Sequence, residues 1–187
     1  MKYKIIYSDC PWSYKVWSKK GAGRTASSHY NVMDTKDLKL LPINTIAEDD
    51  SVLLLWATAP NLLDALEVMK AWEYTYKTVI FTWVKTNKNK LGFFMGMGFY
   101  ARSNAEFCLL GTKGKGLKRV SKSVRSLVVS QRREHSRKPD EVRDRIVQLF
   151  GDVSRIELFA REKVKGWEAL GYEIDGLDIR DAIEQIK

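Results

Sequence analysis

Cysteine and histidine are scarce in this chain, which has two of each. Cys10 and Cys108 cannot build a disulfide framework, and with two histidines no usual zinc site is expected. That usage fits a reducing, cytoplasmic setting and no metal. Long apolar runs are missing as well. The best of them, Val52 to Pro60, stops after nine residues, whereas a membrane helix needs roughly 20. The opening stretch, Met1 to Trp12, lacks an apolar core and is interrupted by Asp9 and Pro11, so no secretory signal is expected. Neither internal repeats nor low-complexity segments are visible. The 187 residues are 44% hydrophobic and 29% charged, which excludes disorder, collagen and coiled coil as descriptions of the whole. One domain over residues 1–187 is expected, long enough to bury about two-thirds of its unfolded surface.

Acidic residues are thin in one place. From Lys113 to Arg145 there are twelve basic residues and four acidic ones, a local balance of +8 in a chain whose net charge is +9. Clustered positive charge is the footprint of a polyanion partner, although a solvated basic loop would look the same. Within this segment Lys113, Lys115, Arg132 and Arg133 are candidate phosphate contacts.

Strand-like and helix-like pieces alternate along the chain. Lys4–Ser8 reads as a short strand ending at Asp9. Residues 10–34 show no apolar periodicity and read as a functional loop. Thr35–Leu41 reads as one or two helical turns capped by Thr35. Ser51–Ala57 and Thr78–Val84 are uninterrupted apolar runs, expected as strands buried on both faces. Pro60 suits a first helical turn, with Leu62, Leu63, Leu66, Met69 and Trp72 following at helical spacing. Glu106–Gly111 is a further strand, followed by a basic loop. Pro139 opens a helix with Asp140 and Glu141 in its first turn and Val142, Ile146, Leu149 and Phe150 as its stripe. Arg155–Ala160 is the last strand. Such alternation predicts an α/β sandwich on a mainly parallel sheet, with ligands beyond the carboxyl ends of strands. Asp9 and Arg161 stand at such ends. Trp56, Trp72 and Trp83 are expected in the core, Cys108 buried and inert, and Gly96–Gly98 in a loop.

The sharpest local feature is Asp9-Cys10-Pro11-Trp12. An adenine amine is a poor nucleophile because its lone pair is delocalised into the ring. Two acceptors can draw its hydrogens out of plane and aim the lone pair at an electrophile. The Asp9 carboxylate and a Cys10 carbonyl fixed by Pro11 supply that pair, and Trp12 could stack on the base. Taken alone, an aspartate before a proline turn is also ordinary turn chemistry.

The wider pattern resembles the adenine-N(6) methyltransferase family that includes the catalytic subunit of the mRNA adenosine methyltransferase and compact bacterial and phage relatives. The landmarks run in order: DCPW at 9–12, HYNVM at 29–33, LLLWAT at 53–58, TWVKTN at 82–87, ARSNAEFCLLGTKG at 101–114, REHSRKPDE at 133–141, RIELFARE at 155–162 and GWEALG at 166–171. Residues 3–176 carry the resemblance. It implies a Rossmann-like methyltransferase sheet in circularly permuted order, with the catalytic motif N-terminal, and S-adenosylmethionine as cofactor. It further implies that Asp9 and the Cys10 carbonyl bind the target amine while Pro11 and Trp12 shape the pocket. Lys138 would contact the methionine part of the cofactor or the incoming nucleotide. Arg161, Tyr172 and Glu173 would approach the ribose, and Arg102 and Glu106 would line the substrate side. The loops after Trp12 and around 87–98 look like the family's gates. Two departures stand out: Cys10 replaces the motif's first proline, and Glu162, Lys163, Val164 and Tyr172 replace common cofactor-side residues.

The expected activity is methyl transfer from S-adenosylmethionine to adenine in DNA. The same chemistry on RNA and a catalytically silent nucleic-acid-binding subunit are the alternatives. Tyr14 and Trp17 are candidate stacking residues, His135 a phosphate contact or helix cap, and His29 is open, as is monomer or dimer.

Overall fold

The computed structural model describes residues 2–13, 32–133 and 137–187. The chain opens with β1 (Tyr3–Ser8), then α1 (Thr35–Lys39), α2 (Ile43–Ile46) and β2 (Ala47–Ala57). A 3-10 turn (Ala59–Asn61) leads into α3 (Leu62–Ala71), followed by β3 (Thr75–Thr86), β4 (Glu106–Lys113) and β5 (Leu127–Gln131). The last part holds α4 (Glu141–Phe150), β6 (Arg155–Leu158), β7 (Glu168–Leu170), α5 (Tyr172–Asp175) and α6 (Ile179–Ile186). The strands form one sheet in the order β5-β3-β4-β2-β1-β6-β7. Only β4 runs antiparallel to its neighbours; every other pairing is parallel. This is the α/β, Rossmann-like class.

Alternation along the central strands sorts the core into two layers. Leu53, Leu55 and Ala57 of β2 face one side with Ile6, where they meet Leu38, Ile43, Ala65, Val68, Trp72 and Ile183 of the helices. Val52, Leu54 and Trp56 face the other with Ile5 and Tyr7, against Val142, Ile146 and Phe150 of α4. Both faces of β1 and β2 are therefore covered, which is why their sequences read as continuous apolar runs. No helix among the described residues is long and apolar enough to cross a membrane.

Several expectations need correction. β3 is not buried on both faces: Thr75–Thr78 are exposed and only Phe81 and Trp83 are fully enclosed. Its outer neighbour β5 covers only Thr82–Thr86. The stretch after β4 is not all loop, since it contains β5. Leu63 points outward, 77% exposed, so the buried stripe of α3 is Ala65, Val68 and Met69. The N-cap of α1 is Asp34, not Thr35. Strand β7 and helices α5 and α6 were not anticipated.

The basic segment also divides. Lys113 binds Glu73, Arg133 binds Asp140, Arg137 binds Glu162, and Arg145 binds Glu141. Arg143 forms a two-pronged, nearly buried pair with Glu157 (2.6 and 2.9 Å). With Lys138, at least half of the twelve cations therefore engage carboxylates of the described residues.

Candidate active site

The chain leaves β1 for β2 on one side and later returns to pair β6 on the other. Diverging connections of this kind open a crevice at the carboxyl end of the strand between them. Asp9 stands at that end. Around it lies a pocket of about 520 Å³ lined by Asp9–Trp12, Trp56–Thr58, Glu106, Lys138, Phe159–Arg161, Tyr172, Glu173 and Leu177–Ile179, within the size range of small-ligand sites.

The 9–12 turn has a defined shape. The Cys10 carbonyl accepts the Trp12 N–H at 2.9 Å, a three-residue turn whose central φ suits the fixed φ of Pro11. A carbonyl carries two acceptor positions, so this bond fixes its direction and still permits a second donor. The Pro11 carbonyl accepts the Met33 N–H at 2.8 Å. The Cys10 side chain is buried, its Sγ 3.3 Å from the Ser8 hydroxyl, and burial pushes the thiol pKa up. Proline's ring is thus replaced by a packed, unreactive side chain. Trp12 is 4% exposed and donates its indole N–H to the Trp56 carbonyl at 2.9 Å. It is a fixed wall of the pocket.

Lys138 Nζ bridges two carboxylates, donating to Asp9 Oδ2 at 2.7 Å and lying 3.1 Å from Glu106 Oε2. Glu106 also holds the Lys85 ammonium, and the Trp56 ring lies 5.6 Å from Lys138 Nζ. Burial raises the Asp9 pKa above the usual carboxylate value, with Lys138 opposing and Glu106 reinforcing the shift. Glu106 is buried more deeply, yet Lys138 and Lys85 outweigh that burial and hold its pKa below the ordinary value. For Lys138, burial alone would lower the pKa, but the two carboxylates reverse this and keep it charged. The site therefore contains one firmly ionised carboxylate, Glu106, and one whose proton affinity is tuned upward, Asp9. Such divergence is a mark of functional sites.

At the other side of the pocket Phe159 adopts a left-handed backbone (φ 58°) directly after β6, a conformation that costs a non-glycine residue roughly 1–3 kcal/mol. Ala160 donates its N–H to the Leu170 carbonyl at 2.9 Å. The next residue, Gly171, passes so close that a Cβ there would lie 2.2 Å from the Ala160 carbonyl oxygen. Arg161 Nε lies 3.8 Å from Glu173 Oε1, and Tyr172 is 71% exposed. Asp178 caps α6 by accepting the Arg180 N–H. The donor set fits an amino-acid nucleoside: cations of Lys138 and Arg161 for a carboxylate, carboxylates of Glu173 and Asp178 for hydroxyls, and apolar Phe159, Leu177 and Ile179 for a ring.

The structure thus gathers Asp9, Cys10, Pro11, Trp12, Glu106, Lys138, Arg161, Tyr172 and Glu173 in one place. Arg133 is nearby, donating to the Lys138 carbonyl and to Asp140. Arg132 stands at the same end of the sheet, its guanidinium 4.4 Å from the Phe94 ring. Arg102 is exposed and donates to the Gly96 carbonyl at 2.7 Å, away from the pocket. Lys113 and Lys115 are not brought to the site. Lys113 pairs with Ser51, at the opposite end of β4 from Glu106, and Lys115 donates its N–H to Asp50. Lys85 and Asp178 are not singled out by the sequence, and Trp56, expected in the core and 1% exposed, also lines the pocket. Lys85 sits in the TWVKTN landmark, which was the available signal. Tyr14, Trp17, His29 and His135 lie outside the described residues.

A Rossmann-like sheet with a tuned carboxylate and a turn carbonyl at its switch point has the groups a methyltransferase needs to hold an amine and a cofactor. The comparisons agree. The MT-A70 family pattern matches residues 3–173. Type II methyltransferase M.MunI of a Mycoplasma species is 34% identical over 92% of this chain and 78% of its own length. The N(6)-adenosine-methyltransferase subunit METTL3 of Danio rerio is 29% identical over 96% of this chain, and the Homo sapiens catalytic subunit METTL3 is 27% identical over 96%. The chain spans 29% and 30% of those two proteins, respectively. This chain belongs to the MT-A70 family and is an adenine methyltransferase.

Proposed function

We propose that residues 1–187 form one methyltransferase domain that methylates N6 of adenine in DNA with S-adenosylmethionine as donor. The observation that carries the chemistry is the placement of Asp9 beside the Cys10 carbonyl at the pocket's edge. DNA is favoured because identity is higher with the Type II methyltransferase than with the N(6)-adenosine-methyltransferase subunit of Danio rerio (34% against 29%), and this chain spans far more of its length (78% against 29%).

S-adenosylmethionine supplies an electrophilic methyl carbon on a leaving group that departs as a neutral thioether. Lys138, Arg161, Tyr172, Glu173 and Asp178 are the residues that would hold it. Asp9 Oδ accepts one amine hydrogen and the Cys10 carbonyl the other, which turns the nitrogen lone pair outward. Lys138 orients Asp9, and Glu106 with Lys85 keeps Lys138 in place. After transfer the surplus N–H proton passes to Asp9 or to water, so no strong base is required. Alignment of this kind is worth about 7–11 kcal/mol of barrier.

Matched deoxy- and ribo-oligonucleotides incubated with methyl-labelled cofactor test the assignment. Label in N6-methyladenine of the deoxy strand is expected; label confined to the ribo strand would overturn the DNA assignment. Asp9→Ala is expected to abolish transfer while cofactor binding, read by calorimetry, persists. Turnover at the wild-type rate by that variant would reject the role of Asp9.

A further inference from the structure

Residues 87–105 join β3 to β4 and carry the sequence LGFFMGMGFY at 91–100. From Phe93 to Met97 exposed apolar side chains alternate with half-buried positions. Phe93, Met95 and Met97 are 67%, 62% and 66% exposed, Phe94 and Gly96 between them are half-buried, and Leu91, Phe99 and Tyr100 beyond are exposed as well. A period of two is that of extended backbone presenting one face. The backbone beneath is firmly held. Phe94 donates its N–H to Lys85 at 2.8 Å, Gly96 to Ser103 at 2.7 Å, and Asn87 to Gly92 at 3.1 Å. Asn104 clamps both the N–H and the carbonyl of Lys85 at 2.9 Å. At Gly98 an added Cβ would lie 2.0 Å from the Ala101 carbonyl oxygen, so the turn admits only glycine. An apolar ridge on a fixed support marks an interaction surface.

Its charge surroundings name the partner. The loop from residue 87 to 105 holds no carboxylate but three cations: Lys88, Lys90 and Arg102. Arg132 adds another against Phe94. A second copy of this chain, with net charge +9 and the same cations at this loop, would bring like charges together. A polyanion with apolar surfaces between its charges fits instead, and a nucleic acid has that chemistry. The location agrees: the loop ends at Glu106, which holds Lys138, which holds Asp9.

We propose that Phe93, Met95 and Met97 are a wedge that enters the base stack of duplex DNA at the target adenine. The wedge occupies the gap opened when the adenine swings into the pocket, and Lys88, Lys90, Arg102 and Arg132 take the flanking phosphates. Proteins that kink DNA insert Phe and Met side chains between base steps in this way, and a side chain left in the gap would restore part of the stacking lost when a paired base is extruded. The inference rests on the adenine-in-DNA reading above.

The test compares wild type with Phe93→Ser/Met95→Ser/Met97→Ser, and with Met95→Ser alone should the triple variant fail to melt cooperatively. Substrates are duplexes carrying the methylation site, identified by sequencing DNA from expressing cells. In one the target adenine is paired; in the other it faces an abasic position. Loss of kcat/KM on the order of ten- to a hundred-fold on the paired duplex is expected, with little loss on the abasic one. Equal loss on both would overturn the wedge, as would full activity on the paired duplex. A wild-type dimer that the variant converts to monomer in sedimentation would assign the ridge to self-association instead. Wild type that methylates neither duplex would remove the functional reading, and the wedge with it.

Discussion

Replacing Lys138 by methionine removes a cation that touches both carboxylates at the site. Its ammonium lies 2.7 Å from Asp9 and 3.1 Å from Glu106, about 6 and about 5 kcal/mol of gross attraction at an effective dielectric of about 20. Most of this is offset by the cost of desolvating the ions, and breaking a buried pair from one side costs about 3–5 kcal/mol net. The lower end, about 3 kcal/mol, is expected because Glu106 keeps Lys85 and Asp9 can take up a proton. For a chain of this size that is a fall in Tm of roughly 6–12 °C. The pH dependence follows from Asp9. Its folded pKa is already raised by burial, and Lys138 is the largest influence opposing that rise. Without Lys138 it rises further above the unfolded value. A carboxylate whose folded pKa is raised stabilises the fold while protonated, and that contribution is lost as pH rises through the folded value. The deficit of Lys138→Met relative to wild type should therefore be smaller at pH 5 than at pH 8. Thermal and urea unfolding at both pH values measure it. A variant as stable as wild type at both, or one whose deficit shrinks with rising pH, would refute the reasoning.

Arg143→Met should lower stability by about 3–5 kcal/mol, because it leaves Glu157 buried without its partner. Adding Glu157→Met should recover most of the loss in urea titrations, whereas an unrescued double variant would speak against that account. Gly171→Ala, with its Cβ forced against the Ala160 carbonyl, should weaken cofactor binding in calorimetry. Unchanged affinity would mean the chain crossing there does not shape the pocket. Arg132→Ala should reduce the salt slope of oligonucleotide binding by about one counterion, and Lys115→Ala should leave it unchanged. A reversed order would show that the far end of the sheet carries the nucleic acid.

Legibility in the sequence followed how local each cause was. β1 and β2 were visible because both of their faces are covered, so the apolar run is itself the signal. β5 was hidden because only Val128 of its five residues is buried and its neighbours in sequence are basic. β7 has three residues, too few to establish a period. Helix α6 did carry a readable sign, Asp178 capping a stripe of Ile179, Ala182 and Ile183. Asp9 could be found from its place after a strand. Lys138 could be placed only through family resemblance, because its partner lies 129 positions away. Charge counting could not show these pairings for the same reason: Glu73 and Glu157, which engage Lys113 and Arg143, lie outside the basic segment.

The seating of β1 between β2 and β6 sets the order in which the molecule can be completed. One edge of β1 pairs with residues 47–55, but the other waits for Arg155–Leu158, and Lys4 bonds Ser154 across 150 positions. At ribosomal speeds of about 5–20 residues per second, the roughly 100 residues between those two partners take about 5–20 seconds to make. During that time the strand bearing Asp9 has one partner, Lys138 has no finished crevice to enter, and the nascent chain has no means of modifying a base. Catalytic competence therefore waits for Arg155–Leu158, long after the key aspartate has been made.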